Sequence, residues 1–167
     1  RGWFGGNARA RGLYIWGARQ YVDTSGDIAW LSETTQKGDT VYDAIREGVA
    51  EPLAANMEES GMAIADASIW EVHWGNRQHF LYTTATAARG FCDMATLARR
   101  AGRTDDIERY RELSVKAVDA MKNHFIDSNR VLAGSLERLA QGTNYRDGAT
   151  VEAITWSLLA PDSTIAK

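Results

Sequence analysis

Several things are scarce in this sequence, and each scarcity excludes something. Its 167 residues include one cysteine, Cys92, so no intrachain disulfide can form. Only two prolines interrupt it, which leaves room for long helices. No apolar run approaches the ~20 residues needed to cross a bilayer, which argues against a membrane segment. The 19 Lys and Arg are outnumbered by 22 Asp and Glu and form no basic face, so nucleic acid is not the expected partner. Arg1-Gly2-Trp3-Phe4 has none of the features of a signal peptide, and the chain is read as a segment of a longer protein.

What remains is an ordinary globular composition, 44% hydrophobic and 25% charged, enough for one domain spanning residues 1–167 with a real core. Cys92 sits in an apolar helical pattern without a nearby base, which predicts a small buried core residue.

Hydrophobic periodicity divides the chain into helical blocks separated by Gly- and Asp-rich turns. The first runs from about Ala8 to Val22, with Leu13, Trp16 and Tyr21 as apolar bulk and Asp23-Thr24-Ser25-Gly26 as its stop. Gly12 and Gly17 cost about 1 kcal/mol each against Ala in a helix, and they predict a second helix packed closely there. A second block opens at Asp39 as N-cap. Val41, Ile45, Val49, Leu53 and Met57 form its stripe, Pro52 should kink or break it, and Gly61 follows as a stop.

A non-helical stretch, Met62 to Arg77, comes next. A third helix is expected over about Gln78 to Ala101, with Phe80, Thr84, Ala87, Phe91, Ala95 and Ala98 inward and Gly102 ending it. Thr104 should cap a fourth helix carrying Ile107, Tyr110, Val118, Met121 and Phe125. The short link between these two makes them an antiparallel αα-hairpin. An irregular segment, Val131 to Leu139, precedes a last helix from about Asp147 to Leu159. Nothing alternates as a sheet would, so the fold class is all-α. Hairpins of this kind build a bundle, a solenoid or a closed toroid, and no clear sequence period favours a regular solenoid.

The chemistry concentrates in Ala65-Asp66-Ala67-Ser68-Ile69-Trp70-Glu71-Val72-His73-Trp74-Gly75-Asn76-Arg77, between two strong helices. Trp70 and Trp74 flank Glu71 and offer faces on which sugar rings stack. Apolar neighbours also raise a carboxyl pKa by disfavouring its charged form. A glutamic acid that keeps its proton near neutral pH is what glycoside hydrolysis needs as donor to the leaving oxygen. Taken alone, a Glu beside a Trp is more often an ordinary structural residue than a catalytic one. Asp66, His73 and His79 match no zinc spacing, and no metal or cofactor is expected. Hydrogen-bonding or loop-fixing roles suit all three better.

Asp66-Ala67-Ser68-Ile69-Trp70-Glu71, followed by His79-Phe80-Leu81-Tyr82-Thr83, resembles glycoside hydrolase family 15, the glucoamylase and glucodextranase family. The upstream Arg11-Gly12-Leu13-Tyr14-Ile15-Trp16-Gly17 with Gln20-Tyr21 is similar to the helix preceding that loop, and Gly148-Ala149-Thr150-Val151-Glu152-Ala153-Ile154 to a later helix start. Only the Trp70-Glu71 loop is a specific match. The resemblance implies antiparallel αα-hairpins forming part of an (α/α)6 toroid, and an exo-acting hydrolase that releases glucose from α-glucans with inversion. It makes Glu71 the general acid and Tyr21 a sugar-facing aromatic, where a core aromatic is the alternative, while Trp70, Trp74 and Arg77 are candidate sugar contacts by their own chemistry.

Inversion also needs a base on the other side of the sugar. In the family that residue comes late in the toroid, beyond what matches here, so the partner expected is the remainder of the catalytic domain. Glu137 and Glu152 read as surface or capping residues, and Arg9 and Arg11 as solvated or ion-paired. Val72 stands where the family often has a second acidic residue, and Gly6-Asn7 where many members read Asp-Gly. The Arg-Asp pair that grips the terminal sugar has no counterpart. Linkage therefore stays open among α-1,4, α-1,6 and that of trehalose. The alternatives are a non-catalytic helical carbohydrate-binding or interaction domain, and another toroid enzyme such as a trehalase or disaccharide phosphorylase. The last would need a phosphate site, for which no basic cluster stands out.

Overall fold

A computed structural model describes residues 8–69, 77–143 and 145–165. These residues form an all-α fold with no strand among them, only isolated bridges. The long elements are α1 (Ala8–Ser25), α4 (Leu81–Arg100) and α5 (Thr104–His124), with an interrupted helix made of α2 (Val41–Ile45), a π-helical turn (Arg46–Ala50) and α3 (Glu51–Ala54). Short helices α6 (Leu136–Gln141) and α7 (Glu152–Thr155) follow. A 3₁₀ turn over Gly148–Val151 leads into α7.

Cross-helix pairs fix the directions. Arg9 bonds to Ser68 at 2.5 Å, Gly12 faces Thr86 and Gly90, and Arg19 meets Asp93 at 3.3 Å. Positions rise together along both chains, so α1 and α4 run parallel. In the other layer Asp43 meets Arg103, Tyr42 bonds to Asp106, and Glu51 takes bonds from Arg109 and Tyr110. The α2–α3 helix is therefore parallel to α5. The turn at Ala101–Arg103 reverses the chain, with Gly102 at φ 70°, and gives the αα-hairpin expected from the short link. Ser114 Oγ donates to Ala88 O at 2.8 Å across that hairpin.

The two layers enclose one core of Ile15, Val22, Leu31, Ile45, Leu53, Phe91 and Met94. A second core, with Met62, Leu81, Met121, Phe125 and Leu159, ties α4 and α5 to the α7 region. Central α4 buries Thr84, Ala87, Phe91, Ala95 and Ala98, as its pattern implies.

The α1–α4 crossing is a backbone contact. A Cβ on Gly12 would lie 2.2 Å from Thr86 O, and one on Gly90 would lie 2.7 Å from the Cα of Gly12. Gly12 thus does what its presence in a helix implies. Gly17 does not: it is exposed, with open space where a Cβ would stand. Cys92 also departs from expectation. It is exposed, because α4 turns its outward line of Arg89, Thr96 and Arg99 through that position while Phe91 and Asp93 point inward. Trp16 and Tyr21 likewise stand largely outside the core, 36% and 46% exposed.

Helix starts shift by a residue. Thr40 rather than Asp39 caps α2, its Oγ1 accepting from Asp43 N at 3.1 Å. Thr104 is the first helical residue of α5, preceded by Arg103 without a side-chain cap. Pro52 does not end its helix. The wide π turn lies just before it, so the register changes where the missing N–H would otherwise leave a defect. The region around Val131–Leu139 contains the start of α6, capped by Ser135, and the last helix is a short 3₁₀–α pair ending at Thr155.

One turn geometry recurs. Glu58 N bonds to Met62 O, Gly61 N to Glu58 O, and Ile64 N to Asn56 O. The same three bonds recur 69 positions on, from Asp127, Arg130 and Ala133 to Val131, Asp127 and Phe125. Gly61 at φ 89° and Arg130 at φ 65° occupy the same left-handed place. These turns follow α3 and α5, at the same end of the outer layer. A third copy, at Thr35, Gly38 and Val41, leads into α2. The hairpins thus repeat in hydrogen bonding where the sequence carries no visible period.

Candidate functional site

Trp70, Glu71, Val72, His73 and Trp74 lie outside the described residues, and so do Gly6-Asn7. The described residues on either side define how that segment is anchored. Asp66 and Gln78 exchange both main-chain bonds at 3.0 Å, closing the chain between them into a loop. Both anchoring residues lie by the N-terminal ends of parallel α1 and α4.

Its entrance is built on Asp66. Oδ1 accepts from Ser68 N at 2.9 Å and from the buried Thr83 Oγ1 at 2.9 Å. The first is an Asx turn, and it sends Ser68 into the left-handed region at φ 48°. Arg9, from the first turn of α1, donates Nη1 to Ser68 O. Asp66 Oδ2 is buried without a hydrogen-bond partner among the described residues. Burial pushes the Asp66 carboxyl above its usual range, against the opposing pull of Thr83, the Ser68 N–H, Arg9 and Arg77.

The exit is held by more partners. Ser135 Oγ donates to Gln78 Oε1 at 2.5 Å, Leu81 N to Gly134 O at 3.0 Å and Leu136 N to His79 O at 3.0 Å. His79 faces Glu58 and Glu137 through its two ring nitrogens. Arg77 is exposed at this exit, close enough to lower the Asp66 carboxyl, while Ile69 is exposed at the entrance. Tyr82, in the first turn of α4, lies 5.5 Å from the Trp156 ring. Its phenol is pushed up first by burial and then by Glu152, with Arg9 opposing.

The structure does not bring Tyr21 to this group. It sits 12 residues beyond Arg9 on α1, about 18 Å along the axis at 1.5 Å per residue. There its ring packs edge-on against Trp30, with centroids 4.8 Å apart. Glu137 is more than a surface residue, because both its oxygens accept the His79 N–H, at 3.1 and 2.9 Å. The Asp66-x-Ser68 spacing carried the signal for the Asx turn. Nothing in the sequence pairs Glu58 and Glu137 with His79, since 58 residues separate the latter two. Among the described residues no cluster of three or more His, Cys, Asp or Glu could hold a metal ion. No helix of the described chain is long and apolar enough to cross a membrane. No protein-family model matches the chain, and a comparison with curated proteins returns no match.

Proposed function

We propose that this chain supplies the general acid of an inverting, exo-acting glycoside hydrolase that releases glucose from α-glucans or related α-glucosides. Glu71 protonates the glycosidic oxygen, Trp70 and Trp74 stack on sugar, and Arg77 binds hydroxyls at the loop exit. The base that activates water comes from outside these residues, within a toroid that the two layers of αα-hairpins would continue. Tyr21 has no part in this reading, because it lies at the far end of α1.

The observation that supports the reading most is the anchoring of the loop. The entrance is fixed by Arg9 and Thr83 at the starts of two parallel helices, in surroundings that push the Asp66 carboxyl up, and the exit by Ser135, Glu58 and Glu137. Such surroundings suit a carboxylic acid that must donate a proton. The test uses the whole protein in which this chain occurs, on a panel of α-glucans, with the anomer of released glucose followed by NMR. β-Glucose is the expected product. Glu71→Gln should abolish nearly all hydrolysis of unactivated substrates while sugar binding survives, and full activity in that variant would sink the assignment.

A second reading, a non-catalytic carbohydrate-binding or interaction domain, draws on the exposed aromatics of α1, Tyr14, Trp16 and Tyr21. It expects saccharide binding without release, with Glu71→Gln and wild type indistinguishable.

A further inference from the structure

Both ring nitrogens of His79 face carboxylates. Nδ1 lies 2.6 Å from Glu137 Oε1, and Nε2 lies 2.9 Å from Glu58 Oε1. An ionised carboxylate only accepts hydrogen bonds, and a neutral imidazole has a single N–H to give. Satisfying both contacts takes both ring protons, so the ring is an imidazolium. With both nitrogens engaged, it has no lone pair left to take a proton from a substrate.

The clamp joins three segments that are distant in sequence. Glu58 opens the turn after α3, Glu137 lies in the first turn of α6, and His79 stands two residues before α4. Ser135, the cap of α6, gives its one hydroxyl proton to Gln78, and its Oγ lies 3.2 Å from Glu137 Oε2. Gln78 in turn is paired with Asp66. The exit of the loop is thereby tied to both neighbouring hairpins through one charged ring.

We propose that His79 is a positioning residue, an imidazolium clamped between Glu58 and Glu137 that fixes the exit of the 67–77 loop and so the orientation of Glu71. The orientation of Glu71 rests on the functional reading above; the clamp itself does not. The charged groups facing the ring are Glu58 from the turn after α3 and Glu137 from α6. Burial works to lower the His79 pKa, and the bonds to Glu137 and Glu58 outweigh it, so the net shift is upward. Burial likewise works against Glu137 ionising, and the bonds from His79 outweigh it, leaving its carboxyl below the usual range. The clamp is complete below the ordinary histidine value and is lost as pH rises through the raised one. On the acid side its Glu137 half survives until pH falls through the lowered Glu137 value.

NMR of the ring ¹⁵N nuclei in the chain tests the first half. His79 should show two protonated nitrogens at neutral pH and titrate above the value of about 6.5 for free histidine. Glu58→Gln should bring that titration down while the fold is retained. Titration of His79 at or below the free value overturns the clamp. Hydrogen exchange at one fixed pH tests the second half. His79→Gln should speed exchange of residues 67–77 about tenfold or more, with α1 and α5 unchanged. Unchanged exchange in the loop overturns the positioning role, and if His79→Gln does not fold, Glu58→Gln is read in the same way with a smaller expected effect.

In the active protein, His79→Gln should lower kcat about 10- to 100-fold with KM nearly unchanged, because displacing a catalytic group by about 1 Å has that cost. Wild-type kcat should fall on the alkaline side at the pKa read by NMR, and His79→Gln should lack that limb. A clamp that passes the NMR test in a protein indifferent to Glu71→Gln would remove the hydrolase reading alone.

Discussion

Two glycines with opposite surroundings sit five residues apart in α1. Gly12 touches α4 through bare backbone, and Gly17 faces open space. Gly12→Ala would drive a methyl into Thr86 O, a main-chain atom that cannot swing away. The expected loss is upward of about 3 kcal/mol, since relief requires moving a whole helix. Gly17→Ala has no such contact and should stabilise the chain by about 0.5–1 kcal/mol through helix propensity alone. Urea unfolding of the two variants separates them in sign. Asp93 gives a second residue-level case. It is 1% exposed and meets Arg89 at 2.7 Å and Arg19 at 3.3 Å. Asp93→Ala removes the acceptor that Arg89 and Arg19 share, leaving Arg19 its pair with Asp23 and Arg89 its bond to Trp156 O, and should cost about 1.5–3 kcal/mol, checked by the same unfolding curves.

At the scale of elements, the outer layer is registered by two tyrosines. Tyr42 donates to Asp106 and Tyr110 to Glu51, each at 2.7 Å. Burial and then the acceptor carboxylate raise both phenols well beyond the usual tyrosine range. The folded state therefore favours the neutral phenols. Their contribution is complete below the unfolded value near 10 and declines as pH rises above it. Absorbance titration should show Tyr42 and Tyr110 silent until the chain unfolds. Either Tyr→Phe change should cost about 1.5–3 kcal/mol, the worth of a bond to a charged acceptor.

Much of this level was legible in the sequence, and for clear reasons. The stripe through Ile45, Val49 and Leu53 and the small-residue face of α4 follow helical spacing, and the structure uses both. Cys92 misled because α4 is buried around most of its circumference, and apolar Phe91 and Met94 beside it mask the narrow exposed line that Arg89, Thr96 and Arg99 mark. Pro52 was legible as a disturbance but not as a π turn, because the adjustment falls upstream of the residue that causes it. The loop anchors divide in the same way. The Asp66 turn is local and readable from spacing, whereas Glu58, His79 and Glu137 meet only through the packing of two hairpins.

For the whole molecule, stability should be graded from the middle outward. Central α4 is flanked by α1 on one side and α5 on the other, and it belongs to both cores. Its buried amides from Ala85 to Leu97 should exchange only by global unfolding, and those of α6 and α7 by local opening. Native-state hydrogen exchange across a denaturant series measures this directly. Amides of α7 that matched α4 in protection would contradict the gradation.

The parallel course of α1 and α4 has an electrostatic consequence. Aligned peptide dipoles place a partial positive charge at each helix start, and parallel helices put both starts on the same side of the molecule. Together with Arg9 and Arg77, these ends form a field that should favour ionised carboxylates. The Asp66 carboxyl is nevertheless held above its usual range, so loss of water there outweighs the positive surroundings. A neighbouring acid withdrawn from water to the same depth would keep its proton under the same balance. Once it gave that proton to a leaving group, the two helix ends would stabilise the anion left behind.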